Sequence, residues 1–270
     1  MKLLLKSGIA IIAITLLSIS CKKENAASVN EVSQDVLNKI FTKGFNIEGV
    51  RKVNNGYLVE GDIVLTDENL NTKSTSPNLL IATNEQYRTT NLVTGLPKTI
   101  TVSISGTLTG VAVWSKATDE AINRYNWLRL SIKFKRVASG GNIDINGFNE
   151  GSSGGYITLG FAGFPTNNGN PYNKIALNTN AAAYGISPNQ GVITSVLQHE
   201  IGHCIGFRHT DYFNRSLSCG GQKVNEAGDA VKIPGTTSGF SSESFMLACS
   251  SGKDRSFNFN DLIALYYLYF

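Results

Sequence analysis

The pattern of apolar and polar positions predicts a helix followed by a hairpin in the N-terminal part of the chain. Apolar residues recur at helical spacing from Val29 to Phe41. Two strand-like runs follow, from Ile47 to Val53 and from Tyr57 to Leu65, and the Asn54-Asn55-Gly56 sequence between them is typical of a hairpin turn. A polar, breaker-rich piece extends from Thr66 to Pro77. This unit is too small to bury much core alone, so we expect it to pack on the segment that follows.

From about residue 86 onward, the pattern predicts an α+β domain. Apolar residues from Trp114 to Leu128 fall at helical spacing and predict a helix that backs a sheet. Five strands are expected in that sheet because short runs alternate or are apolar between loops rich in glycine and asparagine. Their expected bounds are Thr99–Ser105, Leu130–Val137, Asn142–Asn146, Tyr156–Phe161 and Lys174–Leu177.

Two more helices are expected in the C-terminal half. Ser187-Pro188-Asn189-Gln190 has a capping-box pattern, with serine as the N-cap and proline at the first helical position. The apolar residues that follow would bury this helix as far as Ile205. A last helix is expected from Asp261 to Tyr269, where apolar residues dominate. Between the two helices the chain has the composition of a loop.

Charge and length exclude some classes of partner. The formal net charge is +4, and residues 1–20 contain two lysines, so 4 − 2 leaves about +2 for the remainder. These charges are scattered, so the sequence indicates no nucleic acid partner and no electrostatic attraction to a membrane surface. Removing 20 of 270 residues leaves 250, which is room for one substantial domain plus an extension. We expect a monomer.

Residues 1–20 predict export. Lys2 and Lys6 precede the apolar run from Gly8 to Ile19, which has the length of a signal peptide and is short for a membrane span. Ser20 directly before Cys21 resembles a bacterial lipobox, with Cys21 as the lipidated first residue. A plain secretory peptide and an N-terminal anchor are the alternatives. We expect a protein that is lipid-anchored to a bacterial membrane, in the periplasm or at the cell surface, whether or not it is later released.

All three histidines of the chain fall within eleven consecutive positions. His199 and His203 are four residues apart, so on a helix they project from one face. Glu200 beside them is placed to deprotonate a zinc-activated water. Gly206 lets the chain leave the helix sharply, which brings His209 round as a third ligand. Three protein ligands and one open position are typical of a catalytic zinc site, and we expect one zinc ion.

These residues carry a resemblance to a known group of peptidases. His-Glu-x-x-His-x-x-Gly-x-x-His resembles the metzincin signature, and Ser244-Phe245-Met246-Leu247-Ala248 resembles the methionine turn of that group. The sequence His-Glu-Ile-Gly-His, followed by Cys-Ile-Gly-Phe-Arg-His-Thr-Asp, resembles that of the bacterial dual-action HEIGH metallopeptidases. This resemblance covers roughly residues 44 to 270. Thr210 and Ala248 stand where astacins have glutamate and a tyrosine ligand, so we expect no fifth ligand.

The resemblance implies a metzincin-like α+β fold. Its sheet would be twisted, mostly parallel and five-stranded, with a backing helix and an active-site helix. A smaller C-terminal subdomain would contain the methionine turn and the terminal helix, with Met246 under the metal. The implied activity is that of an endopeptidase on protein or peptide substrates. The strand at 156–164 would then border the cleft, where a substrate backbone can add as a further strand.

The second hairpin strand suggests latency. Its Gly61-Asp62 sequence is similar to the Phe-x-Gly-Asp stretch of astacin pro-segments, where the aspartate ligates the zinc in place of water, although Val59 stands where that pattern has phenylalanine. We therefore divide the chain into a signal peptide (1–20), a tether with an N-terminal pro-like segment (21–85) and a catalytic domain (86–270). The intact chain would be a zymogen, activated by a cut between Thr66 and Arg88. The alternative is an ordinary strand kink with Asp62 in solvent.

Besides Cys21, the chain has Cys204, Cys219 and Cys249. In an exported protein two of the three are expected to pair. Cys204 lies about 140° round the helix from His199, which argues against a thiolate ligand. Pairing of Cys219 with Cys249 would tie the loop to the methionine turn and is preferred, but the sequence does not decide it.

Other functions remain open at this stage. A non-catalytic, zinc-containing surface lipoprotein or binding module would not need Glu200 beside an open coordination position. The motif alone is equally compatible with a zinc amidase. Calcium could bind the loops at 146–155 and 167–173, but their acidic residues are too few to support it. No residue dictates a substrate side chain.

Overall fold

The computed structural model describes residues 32–72, 86–153, 155–221, 230–237 and 240–270. The expected signal peptide, the Cys21 lipidation site and residues 73–85 of the expected cleavage region lie outside the described residues. Within the described ranges, no helix combines the length and apolarity needed to cross a bilayer.

The described chain forms seven α-helices and eleven strands, with the strands mostly in consecutive groups. In chain order they are α1 Gln34–Thr42, β1 Arg51–Val53, β2 Gly56–Val59, β3 Ile63–Leu65, α2 Asp67–Asn71, β4 Tyr87–Arg88, β5 Lys98–Ile104, α3 Ala112–Trp127, β6 Ile132–Arg136, β7 Ile143–Phe148, β8 Gly160–Gly163, β9 Lys174–Asn178, α4 Ala181–Tyr184, α5 Gln190–Cys204, β10 Phe207–Arg208, α6 Ser216–Cys219, β11 Val231–Lys232 and α7 Phe259–Tyr269.

The main sheet has eight strands in the order β1-β2-β3-β8-β9-β7-β5-β6. Strands β5, β6, β7 and β9 are parallel to their neighbours in that group, whereas β8 runs antiparallel to β9. The mixed α+β class with a mostly parallel core sheet is thus confirmed. The five strands expected from about residue 86 onward are present in this sheet as β5 to β9, and β1, β2 and β3 of the N-terminal unit extend it to eight.

The run from Tyr57 to Leu65 is not the single strand that its apolar content predicts. The chain reverses after β2, with Glu60 and Gly61 at φ values of 57° and 89°, and returns as β3, so that Val59 pairs with Ile63. A small core of apolar residues holds this N-terminal unit (residues 32–72) together, and Phe164, next to β8, joins that core. The unit therefore packs on the segment that follows, as expected.

The main core lies between one face of the sheet and helices α3 and α5. Helix α3 contributes Ala117, Ala121 and Tyr125, which are fully buried, and α5 contributes Leu197 and Ile201. Helix α3 agrees with the expected bounds to within two residues. Helix α5 is buried over most of its length, which fixes the orientation of the histidines it carries.

Capping differs in one place from the sequence prediction. The N-cap of α5 is Asn189, whose side chain accepts hydrogen bonds from the Gly191 and Val192 backbone amides, and not Ser187. Helix α7 begins two residues before its expected start because Asn258 and Asp261 form a capping box. The segment between α5 and α7 contributes β10 and β11, which flank β4 in a separate three-stranded sheet.

Candidate metal centre

A sharp turn after α5 brings the three histidines together. Gly206 has φ 110°, and a Cβ there would lie 2.7 Å from Leu92 Cδ2, so glycine is required by both conformation and space. After the turn, the His209 ring centroid lies 5.4 Å from that of His199 and 4.9 Å from that of His203. The sequence-predicted ligands thus form one buried cluster.

Backbone carbonyl groups fix which nitrogen of two rings faces the cluster. Nδ1 of His199 donates to the Phe245 carbonyl oxygen at 2.9 Å, and Nδ1 of His203 donates to the Phe207 carbonyl oxygen at 2.9 Å. The proton on Nδ1 leaves Nε2 as the coordinating atom. His203 Nε2 is buried and has no hydrogen-bond partner among the described residues.

Electrostatics favour neutral imidazole in this cluster. Burial and the neighbouring His199 and His209 hold the pKa of His203 well below its usual value. Neutral imidazole is the form that coordinates a metal, because a protonated ring has no free lone pair. The environment therefore prepares His203 to act as a ligand.

Asp62 completes the cluster from the N-terminal unit. Its Oδ2 lies 3.0 Å from His209 Nε2 and 3.4 Å from His199 Nε2, and the side chain is 14% exposed. One ligand atom from each of Asp62, His199, His203 and His209 lies within 4.8 Å of all the others. Although burial opposes ionisation, the imidazoles, chiefly His209, hold the pKa of Asp62 well below its usual value.

This donor set fits zinc. Imidazole nitrogen and carboxylate oxygen are among the ligands that zinc prefers, and four of them match its usual tetrahedral number. The buried Nε2 of His203 is satisfied only if something binds it, which is a second observation in favour of a metal. The four side chains could therefore hold one zinc ion.

Glu200 lies beside the cluster without belonging to it. It is 2% exposed, and its Oε2 has no hydrogen-bond partner within the described part of the chain. Burial and the negative charge of Asp62 raise the pKa of Glu200 well above its usual value. Strand β8 passes close by, since a Cβ on Gly160 would lie 3.1 Å from Glu200 Oε1. A buried carboxyl group of this kind can accept and release a proton.

The methionine turn packs directly on α5. Met246 is fully buried, and a Cβ on Gly202 would lie 2.5 Å from Met246 Sδ and 2.8 Å from Phe245 Cε2. The Thr210 amide donates to the Met246 carbonyl oxygen at 2.9 Å, which ties the turn to the residue after His209. The methionine turn thus occupies the space that a side chain would need at the glycine of the His-Glu-Ile-Gly-His motif.

A disulfide and a buried aspartate brace the segment after His209. Cys219 and Cys249 are joined, while Cys204 is buried with a free thiol. Asp211 accepts from the Ala248 amide at 3.0 Å and from the Ser218 hydroxyl at 2.5 Å. Sequence reasoning assigned no role to Asp211, although its position two residues after a ligand was a signal that it could lie close to the site.

Two charged residues near the centre were also missed. Glu60 is 4% exposed, and its Oε2 lies 3.9 Å from His209 Nδ1. Arg215 donates from its guanidinium to the Glu60 carbonyl oxygen at 2.6 Å. The sequence did not indicate that Glu60 would be buried, because a glutamate in a hairpin usually faces solvent. It also did not indicate which distant segment Arg215 would contact.

Comparison with known proteins gives one family match. A family model described as dual-action HEIGH metallo-peptidase matches residues 57–269, so the match includes Asp62 as well as the three histidines. No curated protein matches the chain.

Two solved structures of myroilysin are similar to this chain. For one, titled "Structure of myroilysin", the identity is 18% and the TM-score 0.33, with 46% of this chain and 54% of that chain covered. This chain therefore spans about half the length of that protein. For the other, titled "Crystal structure of myroilysin", the identity is 14% and the TM-score 0.39, with 64% of this chain and 83% of that chain covered.

Proposed function

Because the chain belongs to the dual-action HEIGH metallo-peptidase family, we propose that it is a zinc endopeptidase of the metzincin type in which Glu200 is the general base. The observation that carries this proposal is the pairing of a buried histidine cluster with an unligated carboxyl group. His199, His203 and His209 supply the nitrogen donors, and Glu200 is adjacent to them along α5.

The chemistry divides between the metal and the chain. Zinc at this centre supplies a Lewis acid that polarises a peptide carbonyl group and acidifies water. The Glu200 carboxylate accepts the proton of the attacking water on one of its oxygens and delivers it to the leaving amine. Its raised pKa suits a group that must hold this proton between the two steps. The carbonyl groups of Phe207 and Phe245 keep His203 and His199 oriented meanwhile.

The test compares matched glutamate variants of the processed protein on casein. Glu200→Gln keeps the shape of the side chain but removes the base, so we expect at least about 100-fold slower turnover. Glu243→Gln makes the same change at an exposed position and should leave turnover unchanged. Zinc content measured on each protein separates loss of the base from loss of the metal. Equal turnover by Glu200→Gln and wild type would refute the mechanism.

We also propose that the intact chain is latent. Asp62 stands where an attacking water would need to approach the metal, and a carboxylate oxygen is an effective zinc ligand. Strand β3 also occupies the edge of β8, since Ile63 pairs with Ala162 and the Ala162 amide donates to the Asp62 carbonyl oxygen at 2.9 Å. That edge is where we expect the substrate backbone. The N-terminal unit therefore blocks both the metal and the cleft.

Latency is tested on uncleaved protein. Asp62→Ala should raise the residual activity of the intact chain toward a short peptide, which needs less of the β8 edge than a protein does, because it removes the blocking oxygen while β3 stays in place. Asp67→Ala, an exposed aspartate of the same unit, is the matched control. If the intact Asp62→Ala protein is as inactive as the intact parent, under conditions where the processed enzyme is active, Asp62 does not cause the latency.

We further propose that the protein is exported and carries a lipid anchor at Cys21. In this proposal residues 1–20 are the signal peptide, 21–85 the tether and pro-like segment, and 86–270 the catalytic domain. The Cys219–Cys249 disulfide supports this, because disulfides persist outside the reducing cytoplasm. Cys21→Ser should move the protein from the membrane fraction to the soluble fraction and abolish labelling by a radioactive fatty acid. Retention of both label and membrane association by the variant would refute the assignment.

A further inference from the structure

We propose that Glu60 is a positioning residue for His209, so that the N-terminal unit helps the intact chain to retain its zinc. This rests on the proposed function, since it takes the histidine cluster to be a zinc site. It goes beyond latency, which concerns Asp62 as a ligand. Glu60 would instead act from behind a ligand, through the ring nitrogen that does not face the metal.

The Nδ1 atoms of the three histidines face different kinds of polar group. Nδ1 of His199 and Nδ1 of His203 each donate to a backbone carbonyl group of the catalytic segment at 2.9 Å. Nδ1 of His209 faces Oε2 of Glu60 at 3.9 Å instead, and both side chains are buried. The polar group behind the third ligand therefore comes from the N-terminal unit.

Glu60 is held in place by both parts of the chain. Its carboxylate accepts from the Asn46 amide at 3.3 Å, within the N-terminal unit. Its backbone carbonyl oxygen accepts a hydrogen bond at 2.6 Å from Arg215, which belongs to the segment after His209. The backbone has φ 57°, a left-handed conformation that a non-glycine residue keeps only where its surroundings impose it. These contacts aim the carboxylate at the ring.

The chemistry of a metal-bound imidazole explains what this carboxylate can do. Coordination through Nε2 makes the Nδ1–H group more positive, and a buried carboxylate 3.9 Å behind it stabilises that charge electrostatically. Loss of a hydrogen-bonded partner typically weakens metal binding by about 10- to 100-fold, so for this longer contact we take the lower end of that range. One turn of the N-terminal unit therefore places Asp62 Oδ2 on the metal side of the His209 ring and Glu60 Oε2 behind it.

The experiment measures zinc affinity of the intact chain by competition with a chromophoric chelator. Glu60→Gln should bind zinc about 10-fold more weakly than wild type or worse. Glu48→Gln, the same change at an exposed position of the same unit, should bind as wild type does. Arg215→Met keeps the carboxylate but removes the guanidinium that holds the turn, and should shift the affinity in the same direction. This last variant serves if Glu60→Gln does not fold.

Two further readouts separate positioning from a structural role. The visible spectrum of the cobalt-substituted protein should change in Glu60→Gln, because the third ligand is less well oriented. The thermal midpoint of the metal-free protein should stay within error of wild type. Wild-type affinity in Glu60→Gln overturns the proposal, as does weaker binding with an unchanged cobalt spectrum and a lower metal-free midpoint. A wild-type chain that binds no zinc would overturn the proposed function instead.

Discussion

Replacing Gly202 with alanine is expected to destabilise the protein, although the same change stabilises most helices. Gly202 lies within α5, one residue before the proposed ligand His203. A Cβ there would come within 2.5 Å of Met246 Sδ and 2.8 Å of Phe245 Cε2. Neither neighbour can retreat into solvent, because both side chains are almost fully buried.

Two opposing effects set the magnitude. Alanine is favoured over glycine in a helix interior by about 1 kcal/mol. Forcing one extra methyl group into a packed core costs about 1–3 kcal/mol. The overlap involves two side chains at once, so we take the upper part of that range and expect a net loss of about 1–2 kcal/mol. For a domain of this size, that lowers the thermal midpoint by about 2–8 °C.

The displacement should also reach the metal. The Phe245 carbonyl oxygen accepts from His199 Nδ1 at 2.9 Å, so a shifted methionine turn loosens the orientation of that ligand. Zinc affinity, measured by chelator competition, should fall together with the thermal midpoint. The two changes then have one cause, which is the position of the turn.

Gly191 in the same helix provides the control. A Cβ at Gly191 would lie 3.0 Å from Asp254 Cβ and 3.2 Å from both Asp254 Oδ2 and the N-cap oxygen Asn189 Oδ1, all on half-exposed or exposed side chains that can move by a few tenths of an ångström. Gly191→Ala should therefore be neutral or slightly stabilising. A Gly202→Ala protein with a midpoint at or above that of wild type, and with normal zinc affinity, would show that the turn does not pack as described.

Three further predictions concern the supports of the site. Asp261→Ala should lower the free energy of unfolding in urea by about 3 kcal/mol or more, because the buried carboxylate accepts from the Phe245 and Asn258 amides, and a loss below about 1 kcal/mol would contradict this. The double variant Cys219→Ser, Cys249→Ser should lose about 3.5 kcal/mol, from a crosslink between residues 30 apart, and a urea midpoint equal to that of the oxidised parent would argue against it. Chelation should stop casein cleavage and added zinc should restore it, so activity that survives complete removal of the metal would refute a zinc peptidase.

Local spacing made much of the site predictable. His199 and His203 share a helix face because the period of the α-helix is fixed, and Gly206 indicated the turn that follows. Strands β5, β7 and β9 lie within two residues of their expected bounds, since each is a short run between breakers. Such signals depend only on near neighbours in sequence.

Pairing between distant segments could not be read in the same way. Ile63 and Ala162 are partners in adjacent strands, and nothing in either run specifies the other. The reversal at Gly61 did have a local signal, because the polar Glu60-Gly61-Asp62 sequence separates two apolar runs, but the prediction joined those runs into one strand. The start of α5 was misplaced because Ser187 and Asn189 are both good N-caps, and only the backbone conformation decides between them.

The brevity of β8 has a consequence for the solubility of the proposed processed protein, which would lack the N-terminal unit. An exposed strand edge can recruit a second copy of the chain and begin aggregation. This strand has four residues and starts and ends with glycine, at Gly160 and Gly163, so it offers few backbone groups and little side-chain surface for such pairing. A processed protein with this edge uncovered is therefore expected to remain dispersed at concentrations where a longer, β-branched edge would assemble into oligomers.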